Sequence, residues 1–174
     1  LVAAPLHAQG GRKGSAPPPF SVVEATIPEM QAALASGRVT SRQLVQQYLT
    51  RIALYEDKLN AIITVNPNAL AEADAKDRER AQGKATGALH GIPIALKDNI
   101  NTVDLPTTGG ALAFAALTPP YDATLTKQLR DAGAIILAKV NLSEFASGAA
   151  FSSLGGQSHN PHDLLRTPSG SSGG

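Results

Sequence analysis

The stretch "AIILAKV", residues 134–140, is apolar except for one lysine. A continuous run of this kind, rich in Ile and Val, predicts a strand buried on both faces, as in a sheet covered by helices. Its neighbours agree. "DATLTKQLRDAG" (122–133) puts Leu125, Leu129 and Ala132 on one face of a helix and ends at Gly133. Upstream, "LHGIPIALKDNI" (89–100) reads as a second apolar strand, bounded by Gly and Asn. Strand, helix and strand in succession argue for an α/β fold.

Further out lie two helix starts. "TIPEMQAALASG" places Thr26 and Glu29 at capping-box spacing, with Gly37 as a stop. "TSRQLVQQYLTRIALYEDKL" repeats the device with Thr40 and Gln43, and Leu44, Val45, Tyr48, Leu49 and Ile52 keep helical spacing. "AIITV" (61–65) is a short β-branched strand. "NPNALAEADAKDRERAQG" predicts a third helix with Asn66 as cap and Pro67 in the first position, ending at Gly83. Residues 9–20, "QGGRKGSAPPPF", read as a linker or extended arm, with order expected from Val22.

Composition narrows the function. The chain has 174 residues, 43% hydrophobic, enough for one globular domain. A net charge of +1 gives no electrostatic case for nucleic acid or an anionic membrane surface. No apolar run approaches the roughly 20 residues of a membrane-spanning helix. The absence of Cys excludes thiol catalysis, disulfides and Cys-based zinc sites. "LVAAPLHAQ" at the start is similar to the end of a secretory signal peptide, with cleavage after Ala8, so a periplasmic or secreted protein is expected, with the cytoplasm as the alternative.

Several side chains invite chemistry. Lys97 ends the apolar run "IPIALK". It is either a strand-end lysine whose ammonium reaches water, or a desolvated amine able to act as a base. His159 and His162 have a metal-like spacing, but Pro161 lies between them and no third ligand is evident, so a polar surface turn is expected. The terminal "RTPSGSSGG" (166–174) lacks the Lys of a phosphate loop. "GSSGG" matches G-x-S-x-G with Ser172 as nucleophile, yet the preceding "DLLRTPS" is not the apolar strand such an elbow needs.

Three blocks, "GALHGIPIALKDNINT", "DAGAIILAKVNLSEFASG" and "NPHDLLRTPSGSSGG", occur in this order. Together they resemble the amidase signature family. The likeness runs from about Val22 to Gly174 and is closest from Gly87 to Asn101 and from Asp131 onward. It implies an α/β fold with a mixed sheet covered by helices, cut off before completion. Residues 1–21 would be a signal-peptide remnant and arm, and 22–174 the N-terminal part of a single amidase domain.

The resemblance also implies chemistry: hydrolysis of carboxylic amides by a Ser–cis-Ser–Lys triad through an acyl-enzyme. The lysine of "ALKDN" is Lys97, expected mostly buried. The bridging serine is Ser171, after a cis Gly170–Ser171 peptide. The acylated serine is expected beyond residue 174. A serine hydroxyl attacks well only when a base takes its proton, and one hydroxyl can accept and donate at once, which suits Ser171 to a relay. Ala146 falls beside the acyl pocket of relatives, or is simply a packing alanine. Relatives commonly carry two glycines before the serine pair, where this chain has Ser169–Gly170. No metal or organic cofactor is implied, and the expected partner is a small-molecule or peptide amide. Two other readings stand: the A subunit of a tRNA-dependent amidotransferase, or an incomplete piece with only a binding or structural role.

Overall fold

Two threonines start the helical layer. Thr26 accepts from the Glu29 amide and Glu29 reaches back to the Thr26 amide, opening α1 (Ile27–Ala35). Thr40 and Gln43 do the same for α2 (Ser41–Leu59). Each box satisfies amides that a helix start otherwise leaves without partners. Gly37 stops α1 in the left-handed region, at φ 68°. The computed structural model describes residues 18–174, so the expected leader, its cleavage point and residues 9–17 of the arm lie outside the described residues.

The other elements are β1 (Ile62–Val65), α3 (Ala69–Ala81), β2 (Pro93–Lys97), α4 (Thr124–Asp131), β3 (Ile135–Val140) and a small hairpin of β4 (Phe151–Ser152) and β5 (Gly156–Gln157). The main sheet has the order β1-β3-β2, with β1 antiparallel and β2 parallel to the central β3. The parallel pair is joined through α4, as parallel strands require a crossover.

Side chains of β3 serve both faces. Ile135 and Leu137 pack with Val45, Ala69 and Ala73 of α2 and α3, whereas Ile136 meets Leu96, Leu105 and, from α4, Leu129. The alternation then breaks. Ile94 pairs with Ile136 but Ala95 with Ala138, so the register slips. Ala138 joins Leu137 on the α2–α3 side. The slip re-aims the next residue, Lys139, toward Pro106 and Thr107. A further core joins α1 to α2 through Met30, Leu34 and Leu44. Among the described residues no helix is long and apolar enough to cross a membrane.

Two expectations are corrected. Asn66 does not cap α3; the helix begins at Ala69, with Asn68 in the cap position. Asn66 is buried, and its amide donates to the Ile136 carbonyl (2.7 Å) and the Glu72 carboxylate (2.9 Å), so it ties the helix to the sheet. In α4 Leu129 packs inward as expected, but Leu125 is exposed and Thr126 is buried instead, its hydroxyl donating to the Asn101 carbonyl at 2.7 Å. A polar residue wins this position because a loop carbonyl waits there for a donor.

Candidate active site

Lys97 and Ser171 are 74 positions apart, and β3 brings them together. Lys97 is the last residue of β2 and pairs with Val140 at the end of β3. Beyond β3 the chain runs on through Asn141, Leu142 and Ser143, all fully buried. The segment 171–174 lies along that extension. Ser143 N donates to Ser171 O (2.8 Å), Leu142 bridges Ser172, and Gly173 N and Gly174 N both donate to Asn141 O (3.2 and 2.9 Å). Lys97 and Ser171 thus flank one continuous strand path. Lys97 Nζ stands 2.6 Å from Ser171 Oγ.

The Gly170–Ser171 peptide is cis. A side chain at Gly170 would come within 2.7 Å of Ser143 Oγ and 2.8 Å of Gly148 O, so only hydrogen fits there. Ser169 has φ 73° and sits in the left-handed region. Lys97 is half-buried rather than enclosed, and Ser171 is likewise half-buried. Both atoms can therefore meet a further group from outside the described residues.

Asn141 organises this corner. Its Nδ2 donates to the carbonyls of Asn60 (2.8 Å), Gly155 (3.2 Å) and Gly156 (3.3 Å). Its Oδ1 accepts from Leu142 N and Ser152 Oγ, both at 2.8 Å. One buried amide thus joins the end of α2, the β4–β5 hairpin and the strand path beside Ser171.

A second lysine lies close behind. Lys139 is fully buried, and its Nζ donates to Thr107 Oγ1 (2.7 Å) and Pro106 O (3.1 Å), with Asp98 Oδ1 at 3.6 Å. Burial pushes its ammonium below the ordinary lysine range, and the Asp98 carboxylate partly offsets this. Asp98, also fully buried, accepts at Oδ2 from Thr108 N (3.1 Å), Thr108 Oγ1 and Gly110 N (3.3 Å). The sequence held a signal for Lys139: a cationic residue inside "AIILAKV" needs a partner.

Ala146 is exposed, at φ 60° in a short 3₁₀ turn (Glu144–Ala146). It packs inside no helix. His159 and His162 do not form a metal site: His159 Nδ1 meets Leu164 O at 2.8 Å, and His162 N donates to Asn160 Oδ1 at 2.9 Å. No group of three or more potential ligands gathers among the described residues. Ser172, the elbow candidate, is exposed and follows no strand.

The family model described as Amidase matches residues 43–174. Among solved structures, the native peptide amidase from Stenotrophomonas maltophilia is similar at 44% identity and a TM-score of 0.83, over 86% of this chain and 32% of that one. Among curated proteins, the A subunit of the glutamyl-tRNA(Gln) amidotransferase of Streptomyces avermitilis is 42% identical over 156 residues, 88% of this chain and 31% of that protein. A probable amidase of Arabidopsis thaliana is 43% identical over 164 residues, 89% of this chain and 32% of that protein. The chain spans about a third of the length of the relatives it matches.

Proposed function

Because this chain belongs to the amidase family, we propose that it supplies the base and the bridging serine of an enzyme that hydrolyses carboxylic amide C–N bonds. The observation that carries this reading is the 2.6 Å contact between Lys97 Nζ and Ser171 Oγ. An amine and a hydroxyl at that distance can pass a proton. In its neutral form Lys97 takes the proton of Ser171, and Ser171 takes that of a nucleophilic serine carried by a later segment. The nucleophile's oxygen bonds to the amide carbon, the C–N bond breaks, and the leaving nitrogen receives the proton back along the same relay. Water then cleaves the acyl ester with the relay as base. No step in this route calls on a metal.

Likeness to a peptide amidase favours a small amide or a peptide amide as substrate. The second reading, a tRNA-dependent amidotransferase working with other subunits, is favoured by the curated relatives of that name.

The test uses the full-length gene product. Purified alone, it should release ammonia from peptide amides and keep that activity in chelator. Lys97→Ala should lower kcat by about a thousandfold with an unchanged melting temperature. Near-normal turnover by Lys97→Ala would remove the proposed base. Activity that appears only with charged tRNA and added partner proteins would favour the second reading.

A further inference from the structure

Two glycines in a row, Gly109 and Gly110, stand in the left-handed region, at φ 62° and 79°. Successive backbone N–H groups in such a turn converge and make a hollow for an anion. Here the hollow is filled from inside the fold. Thr108 N (3.1 Å), Gly110 N (3.3 Å) and Thr108 Oγ1 all donate to Oδ2 of Asp98, and Gly109 N donates to the Asp98 carbonyl at 3.2 Å. Asp98 is fully buried, and the ammonium of Lys139, 3.6 Å from Oδ1, balances its charge. Apolar side chains fill such a space without the desolvation that an ion pair suffers, so the carboxylate needs a reason to be there.

Its place in the chain supplies one. Asp98 follows Lys97, and its amide donates to Val140 O at 3.0 Å, where β2 and β3 end. The turn it grips reaches the serine side of the site by two backbone bonds. Phe145 N donates to Gly109 O (2.8 Å) and Leu154 N to Gly110 O (2.9 Å). Phe145 comes two residues after Ser143, whose amide donates to Ser171 O. Leu154 lies in the β4–β5 hairpin, which Ser152 Oγ ties to Asn141, and Asn141 O accepts from Gly173 N and Gly174 N. The fit is close: a side chain on Gly110 would come within 2.7 Å of Ser152 Cβ and 3.1 Å of Leu142 Cδ2. The lysine strand and both arms that hold the 171–174 segment thus meet at one carboxylate.

We propose that Asp98 is a positioning residue for the reaction: by holding the 107–110 turn it sets Ser171 at hydrogen-bonding distance from Lys97. It takes no part in proton transfer. A carboxylate suits the task because it accepts several N–H and O–H donors at once, and charge-assisted bonds are stronger than neutral ones. Precision matters here, since a misplacement of about 1 Å can cost about a hundredfold in rate. The role of Asp98 rests on the Lys97–Ser171 reading of the proposed function.

The test compares kcat, KM and amide exchange in variants of the full-length protein, each assayed well below its melting temperature. Asp98→Ala/Lys139→Met removes the acceptor without stranding a buried charge. Its kcat on a peptide amide should fall about a hundredfold, with KM changed by less than about threefold, because the displaced hydroxyl handles a proton rather than binding substrate. Exchange at Phe145, Leu154, Gly173 and Gly174 should quicken. Asp98→Asn/Lys139→Met keeps a carbonyl oxygen for the turn and should recover most of the loss. Thr108→Val removes only a hydroxyl donor and decides the matter if the double variants do not fold; it should lower kcat about tenfold. Leu44→Ala, destabilised in the helical layer, should keep the wild-type kcat.

A carboxylate that only stabilises the fold predicts wild-type kcat in every variant that is folded at the assay temperature, and that result would overturn the proposal. So would a loss carried by KM instead of kcat, an asparagine no better than alanine, or an equal fall in kcat for Leu44→Ala. Lys97→Ala run in parallel separates the two levels. Full activity there defeats the triad reading. An inactive Lys97→Ala beside Asp98 and Thr108 variants of wild-type kcat defeats only the role of Asp98.

Discussion

The helical layer, residues 27–81, and the loop-rich corner, residues 141–174, are built by different forces. In the first, Leu44, Val45, Ala69 and Ala73 are fully buried apolar side chains, and helix caps close the ends. In the second, the fully buried groups are largely polar: Asn141, Ser143, Ser152 and Ser158 lie beside Leu142 and Ala150. Apolar packing is tolerant of small shifts, whereas a hydrogen-bonded corner has one arrangement in which every donor is met. The lesson is a division of labour: the helices give cohesion, and the corner gives the position of Ser171.

Asn141→Leu should break this contrast most sharply. It strands the partners of five side-chain hydrogen bonds, at roughly 1–3 kcal/mol for each buried group left unmet. A loss of about 5 kcal/mol, the lower end of that sum, is expected, with amide exchange accelerated in 141–174 while α1 and α2 stay protected. Equal loss of protection in both regions would show that they are not separable. Leu44→Ala probes the other side. It should cost about 3 kcal/mol by leaving a cavity, read as a lower denaturant midpoint, with exchange fastest in α1 and α2.

Ser169→Gly should sharpen the contrast with a gain. A side chain at φ 73° is held in a strained region, and glycine relieves it. Stabilisation of up to about 1 kcal/mol is expected, net of glycine's greater freedom in the unfolded chain. A lower melting temperature would mean the serine hydroxyl matters more than the backbone.

The smallest effects come from pH. Glu29 in the helical layer is held below the ordinary carboxylate range by hydrogen bonds from Thr26, and Glu144 in the corner by bonds from Ser153. Their stabilisation is present above the unfolded carboxylate pKa and lost as pH falls through the lower folded values. Glu56 has the opposite sign: burial raises its pKa, so its contribution grows more favourable as pH falls through that raised value. Carboxyl NMR titrations should show Glu29 and Glu144 protonating last and Glu56 first; any other order would overturn this assignment.

The same division explains what was legible in the sequence. The capping boxes at Thr26 and Thr40 and the buried strand 134–140 follow from local spacing, and the structure has them. The Lys97–Ser171 contact followed only from the order of three blocks, since nothing local links positions 74 apart. Asn66, Thr126 and Lys139 escaped because their partners, Ile136 O, Asn101 O and Asp98, are distant in the chain. A polar residue's burial is decided by a partner that spacing does not reveal, and a register slip in a strand leaves no mark in composition. At Ser169 the departure from the family's glycine pair was visible, but serine itself gives no sign of a left-handed backbone.

Chains emerge from the ribosome with their N-terminus first. The strand ending in Lys97, and the crossover and central strand that follow it, are all made before Ser171 exists. The amine is therefore installed first, and the hydroxyl is delivered to it when the stretch 171–174 lies down along Asn141–Ser143. A nascent polypeptide stalled anywhere short of that point holds the Lys97 amine without its hydroxyl partner. The Lys97–Ser171 contact is in this way a late event of synthesis, made only once the corner has closed.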